Sequence, residues 1–386
     1  MTPALANSHP NGHAPDARPV GWAVVGTGWV ARDYAGPGIE ASANGRVVAA
    51  CDLDADALAA FLPHRADLAR TRDLGEMLAR DDVEAVYVAT PNHVHAAPVR
   101  AAARAGKAVL CEKPLARTAH EAAALAEVVR GAGVPFGVAF DQRHHPAHAR
   151  LRALVADGAL GEVTAVRIRY ACWTGPDWSP DGAPLVPGAN WRADPARAGG
   201  GAFIDLAPHG LDLAQWLLGD TVVEVAALLQ RRVHDYDVDD GAALVGRTAR
   251  GALLNLSVAY NCPETFPRRE LEVVGTRARA LALNTMGQTP GGTLTLTDAA
   301  TGEARPVAFD AAACPFRLQA EAFAGALRAG RAFGPGVERE LHTMRLLDAA
   351  AGEPAARVPV AAPPRQRGAA RGLPPGVPAA GRPPAS

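Results

Sequence analysis

From Gly21 onward, short apolar runs alternate with alanine-rich stretches of helical period. The runs WAVVG, VVAACD, AVYVAT, AVLCEK and FGVAFD have strand length and end in small or polar residues, and HVHAAPVRAAARAG and AHEAAALAEVVRGAG between them read as helices. Strands that are apolar throughout and separated by helices indicate a parallel sheet covered on both faces. After about Arg143 the pattern changes. A helix at PAHARLRALVADG leads to the strand EVTAVRIRYA, and further strands are predicted at VVEVAALLQ, GALLNLSVAY, RELEVVG and GTLTLTD. Consecutive strands without intervening helices predict an open, mostly antiparallel sheet. Helices near Gln319–Ala329 and Leu341–Ala351 close the folded part, and no internal repeat is visible. The expected class is α/β: a doubly wound parallel sheet over residues 20–142, then an α+β domain with a large open sheet over 143–360.

Composition narrows the functional classes. Lysine plus arginine (39) nearly cancels aspartate plus glutamate (40), which argues against a nucleic-acid or membrane-surface footprint. The hydrophobic fraction is 48%, enough for a sizeable core. The five cysteines form no CxxC pair, a usage that fits a reduced cytoplasm. Residues 1–19 lack an apolar signal core, and no run of about eighteen apolar residues suggests a membrane span. Residues 361–386, rich in proline, alanine and arginine, are expected to be a disordered tail like 1–19.

The first candidate site is GTGWVA, where Gly26-x-Gly28-x-x-Ala31 follows a strand and opens a helix. Glycines allow the tight turn and a close backbone approach to a pyrophosphate, which the helix N–H groups then meet. The next strand ends in Asp52, suitably spaced to hold a ribose 2′-hydroxyl. No arginine follows directly, so NAD is favoured over NADP, with Arg32 the residue that could reverse this. A later strand stops at Thr90-Pro91 and leaves Asn92 and His93 at the carboxyl edge, where open parallel sheets bind ligands. His93 and His95 are two apart and would diverge on a helix, so no metal site is expected, and His95 reads as a capping or packing residue. The dinucleotide site is expected to comprise Gly26, Thr27, Gly28, Trp29, Val30, Asp52, Thr90, Pro91, Asn92, His95, Glu112 and Lys113.

CEKPLA ends another strand and sends Lys113 out at the cofactor side of the sheet, stiffened by the proline behind it. With GTGWVA, TPNHVH and GGGAFIDLAPHGLD in the same order, the chain resembles the Gfo/Idh/MocA oxidoreductases from about Val20 to Val360. The resemblance implies a Rossmann domain, a substrate domain with an open sheet, a homodimer or homotetramer, and a sugar, sugar derivative or cyclitol as substrate. It also implies catalytic roles for Lys113, Asp205 and His209. It leaves open an NAD-dependent glycosidase without net redox, and a ligand-sensing regulator of the same fold. An intact Lys113, Asp205 and His209 argue against the regulator.

The stretch after the glycines reads as a helix beginning near Ile204, with Pro208 in its first turn, where a missing N–H costs nothing. Asp205, His209, Asp212 and Trp216 then form one stripe, beside a leucine-rich packing stripe. A solvated face would carry Lys, Glu and Arg rather than His and Trp. The positive end of the helix dipole favours an ionised Asp205 and a neutral His209, so His209 is expected to be the general acid/base, ahead of Lys113. Lys113 would donate to the substrate oxygen. The long proline- and glycine-rich loop before this helix carries Trp173, Trp178 and Trp191, half of the six tryptophans, and reads as a lid. Trp173, Trp191 and Arg192 are candidate substrate contacts together with Asp205 and His209, as is Arg143 at the domain junction, beside Gln142 and His144. Anchoring the loop to the body is an equally good use of the tryptophans.

Overall fold

The computed structural model describes residues 18–182, 185 and 188–352. The two tail assignments lie outside these residues, apart from Arg18 and Pro19. Strands β1 (Val20–Val25), β2 (Gly45–Cys51), β3 (Ala69–Thr71), β4 (Ala85–Val88), β5 (Ala108–Cys111) and β6 (Phe136–Val138) form a parallel sheet in the order β3-β2-β1-β4-β5-β6. Its middle strand explains the continuous apolar runs. Side chains alternate across a strand, so Trp22 and Val24 of β1 enter one core while Ala23 and Val25 enter the other.

The second sheet contains β7 (Val163–Ala171), β8 (Val222–Gln230), β9 (Gly241–Thr248), β10 (Leu253–Ala259), β11 (Arg269–Gly275), β12 (Ala278–Leu283), β13 (Thr293–Asp298) and β14 (Ala304–Pro306). Its order is β14-β13-β12-β11-β7-β10-β9-β8, and only the β7–β10 pair is parallel. The fold is therefore α/β, a Rossmann sheet joined to a mostly antiparallel one. β3, β9, β12 and β14 were not visible in the pattern. β12 is ARALAL, an alanine–leucine run that reads as helix until the strands on either side claim it.

Two helices differ from expectation. Pro315–Arg328 starts four residues early because Pro315 occupies its first turn, where proline is preformed for helix. It comes late in the chain, yet Phe316, Ala320 and Phe323 join the core beneath β1, with Phe323 and Trp22 rings 5.2 Å apart. Chain order and packing thus part company within the stretch 143–360. The helix Ala202–Leu218 starts two residues before Ile204, so Pro208 lies in the helix interior rather than its first turn. The reason is Gly201. A Cβ there would stand 1.8 Å from the Asp239 carbonyl oxygen. That close approach lets the Asp239 carboxylate accept from the N–H groups of Gly201 (2.8 Å) and Phe203 (2.7 Å), capping the helix from a distant loop.

No described helix is long and apolar enough to cross a membrane.

Candidate active site

The glycine loop runs from β1 into a π-helical turn, Ala31–Ala35, and the helix Gly36–Glu40. Gly26 has φ +84°, and a Cβ on it would meet Ala89 and Thr90 backbone at 2.8 Å. A Cβ on Gly28 would meet nothing within 4 Å and would project into a cleft of about 430 Å³. The bare backbone at Gly28 is what a pyrophosphate needs in order to lie against it, so the residues present fit a dinucleotide. Gly26, Trp29, Val30, Asp52, Thr90, Pro91, Asn92, His95, Glu112 and Lys113 line the same cleft. Thr27 does not line it. It is buried beneath, where its N–H (2.6 Å) and hydroxyl (3.0 Å) donate to Asp52 Oδ2 and fix that carboxylate.

His93 is exposed and His95 buried, so the two diverge. The His95 ring nitrogens lie 3.0 Å from Pro114 O and 2.8 Å from Thr90 O. Burial lowers its pKa to about 4, and the neutral ring donates to one of these carbonyls, tying the two site loops together. Asn92 Nδ2 donates to Ala198 O at 2.8 Å and pins the short helix Pro195–Ala198 over the cleft.

Lys113 leaves β5 and reaches across to the central helix. Its Nζ donates to Asp205 Oδ1 (2.5 Å) and to the Asp205 carbonyl (3.1 Å). The second contact lies next to Pro208, whose missing N–H leaves Ile204 O without a helical donor. Tyr260 donates its hydroxyl to Asp205 Oδ2 at 2.6 Å. Burial pushes the Asp205 carboxyl up, but Lys113, Arg192 and Tyr260 outweigh it and hold the group well below the carboxylate range. An ammonium has three donors, and two are spent on Asp205. The third is free to act at the cleft.

His209 is one turn further along and only 3% exposed, and it is not among the residues lining the cleft. Burial and the Lys113 charge lower its pKa well below the ordinary histidine value, so it is neutral. Its Nδ1 has no hydrogen-bond partner and lies 3.8 Å from Asp141 Oδ1. Asp141, which the sequence reading passed over, follows β6 at the same carboxyl edge as Asp52 and Lys113, and that position was the available signal. Burial and Glu112 raise its pKa to about 7, with Lys113 and the 2.7 Å hydrogen bond from Gln142 opposing. Glu112 is also raised, chiefly by burial, while accepting from Tyr87 at 2.6 Å.

A carboxyl raised in the folded state binds its proton more tightly there than in the unfolded chain. Its contribution to stability is full below about pH 4, the unfolded value, and is lost as pH rises through about 7. Wild-type protein should therefore melt at a lower temperature at pH 8 than at pH 5, and Asp141→Asn should flatten part of that slope. A variant slope equal to wild type would show that Asp141 is ionised throughout.

The candidate substrate residues separate. Trp173, Arg192 and Asp205 line a second cavity of about 190 Å³, together with Trp29, Tyr170, Trp178, Arg268 and Arg269. Trp191 lines the dinucleotide cleft, which Arg192 and Asp205 line as well, so those two face both spaces. Arg143 lines neither cavity. It is buried, with Nε 2.7 Å from Asp212, a second bond from Nη2 to Asp212, and Nη2 2.8 Å from Glu340. Asp212 is likewise drawn inward, so the stripe from Asp205 to Trp216 is no single site surface. Tyr260 and Arg269 were read only as strand residues, since nothing local marks them as facing Asp205 or the second cavity.

A dinucleotide cleft and a smaller cavity meeting at a lysine–carboxylate pair define a nicotinamide-dependent oxidoreductase. Residues 20–140 match the oxidoreductase family with NAD-binding Rossmann fold, and 148–281 match the GFO/IDH/MocA C-terminal domain. The chain belongs to this family of NAD(P)-dependent sugar and cyclitol oxidoreductases. It is 31% identical over 279 residues to a 1,5-anhydro-D-fructose reductase of Ensifer adhaerens, covering 72% of this chain and 80% of that one. It is 30% identical over 269 residues to an inositol 2-dehydrogenase of Rhizobium meliloti, covering 69% and 76%. The fold superposes on an aldose-aldose oxidoreductase from Caulobacter crescentus with TM-score 0.76 at 24% identity, covering 86% and 97%.

Proposed function

We propose that the chain is an NAD-dependent dehydrogenase acting reversibly on a secondary alcohol of a sugar, sugar derivative or cyclitol. The observation that carries this reading is Lys113 at the cleft, with two donors held by Asp205 and one left for a substrate oxygen. The nicotinamide, when bound, supplies or accepts the hydride. The main chain of Gly26–Val30 would hold the pyrophosphate, Asp52 the adenosine ribose, and Thr90, Pro91, Asn92 and Glu112 the remaining half. Lys113 gives a proton to the substrate oxygen in the reducing direction and takes it back in the other. Asp205 keeps the lysine in place and balances its charge, while Tyr260 holds the other Asp205 oxygen. The acid/base duty thus rests on Lys113 rather than His209. His209 lines neither cavity, and burial lowers its basicity, so it is the poorer placed of the two to exchange a proton with substrate. His209 serves as the neutral wall behind the pair.

Asp52 supports NAD over NADP, because a 2′-phosphate would meet its carboxylate. Arg32 offers no compensation, since Asp33 (2.6 Å) and Asp181 (2.8 Å) already occupy its guanidinium. Asp52→Asn should weaken NAD by about tenfold or more, the worth of a hydrogen bond to a charged group, while weakening NADP less. Equal losses in the two Michaelis constants would mean that the ribose is held elsewhere. The expected setting is cytoplasmic, as a homodimer or homotetramer. Leu228, Val245 and Leu253, exposed on one face of the second sheet, are a surface suited to self-association.

The direct test follows reduced-nicotinamide absorbance while the protein meets NAD or NADP with inositols, hexoses, uronic acids and amino sugars. A rise that depends on one substrate and is larger with NAD is expected. A flat trace across all of them would overturn the reading.

A further inference from the structure

The second cavity carries more positive charge than its own carboxylates answer. Three arginines line it, Arg192, Arg268 and Arg269, against Asp205 and Glu264. Arg268 is matched by Glu264 at the rim, 2.9 Å away. Both oxygens of Asp205 are committed to Lys113 and Tyr260. Among the described residues, neither Arg192 nor Arg269 has a carboxylate within salt-bridge distance, and the buried Nε of Arg269 has no hydrogen-bond partner.

The two guanidiniums are nevertheless held in place. Arg192 lies 4.4 Å from the Trp191 ring centroid, 5.4 Å from Trp178 and 5.8 Å from Trp29, so aromatic faces orient it without consuming its N–H groups. Arg269 lies over Gly287, where a Cβ would stand 2.4 Å from its Nη1. Half-buried guanidiniums normally find an anion in the protein, because desolvating an unpaired charge is costly. Two of them in one small cavity, with donors free, form a receptor for an oxyanion, the group that planar N–H forks bind best. At about 190 Å³ the cavity is below the roughly 300–1,000 Å³ that encloses drug-sized ligands, which limits the occupant to one ring.

We propose that the substrate is a single sugar ring bearing an oxyanion, a carboxylate or a phosphate, and that Arg192 and Arg269 bind that group. This rests on the reading of Lys113 and Asp205 as the reacting end. The anion anchors the far side of the ring, between tryptophan walls, and the Lys113 donor meets a hydroxyl on the near side.

The test compares a hexuronate, a hexose 6-phosphate and the neutral parent hexose, in wild type and in Arg269→Gln, by turnover with NAD and by calorimetric titration. In wild type, kcat/KM and affinity for one of the two anions should exceed those for the neutral sugar about tenfold or more. The better anion identifies the oxyanion. In Arg269→Gln that preference should collapse, chiefly through KM. Equal handling of neutral and charged sugars by wild type would overturn the proposal. So would a preference that survives in both Arg269→Gln and Arg192→Gln. Anion binding that depends on Arg269 without turnover of any sugar would uphold the oxyanion site and overturn the dehydrogenase reading.

Discussion

Alanine at position 113 should lower kcat by about 10²–10⁴-fold, the usual worth of a positioned proton donor. Lys113 ties the dinucleotide cleft, which it lines, to the central helix by bonding both the Asp205 carboxylate and its carbonyl. Its loss removes the proposed proton donor and the largest of the influences that keep Asp205 ionised, leaving Arg192 and Tyr260 to hold the carboxylate. On the proposed reading Lys113 acts at the substrate oxygen, so NADH affinity measured by fluorescence titration should change little. Lys113→Arg should retain folding and cofactor binding while leaving kcat low, since a guanidinium keeps the charge but does not release its proton. His209→Ala should lose less than Lys113→Ala. An undiminished kcat in Lys113→Ala, or a larger loss from His209→Ala, would return the acid/base role to the histidine.

Arg143→Ala should destabilise the fold by about 3–5 kcal/mol, as removal of one member of a buried ion cluster does. The Arg143 side chain is 5% exposed, and its partners Asp212 and Glu340 are 1% and 4% exposed. Without the arginine, two carboxylates from different helices face each other away from water. The deficit should shrink on acidification. Burial and the neighbouring Asp212 raise Glu340 above the ordinary glutamate range, and loss of Arg143 removes what opposes them, so acidification protonates Glu340 and relieves the repulsion. Denaturant unfolding at pH 8 and pH 5 measures both the loss and its pH dependence. A deficit under about 1 kcal/mol at pH 8 would mean that water enters and solvates the pair.

Much of the Rossmann half was legible because its signals are local. β1, β2, β4, β5 and β6 are buried on both faces and so appear as unbroken apolar runs, and the residues after them fall at the sheet's carboxyl edge. Gly26, Gly28, Asp52 and Lys113 could each be placed from a handful of neighbours. The second sheet was read less fully, since β9 and β12 are strands by virtue of their partners rather than their composition. Proline at 208 was assigned to a first turn because the true start of that helix depends on Asp239, far along the chain.

The sequence by itself therefore determined the layer architecture, the dinucleotide loop and the presence of Lys113, Asp205 and His209 in one molecule. Strand period, turn chemistry and spacing within a few residues suffice for these. Only the tertiary structure decided which of them face the cleft. Arg143 and Asp212 were drawn into the interior because two charges find a counter-charge there more cheaply than either could alone. Asp141, Tyr260 and Arg269 joined the site through contacts made across different strands and helices. A side chain's role depends on what packs against it, and that is set by chain crossings that no local window contains.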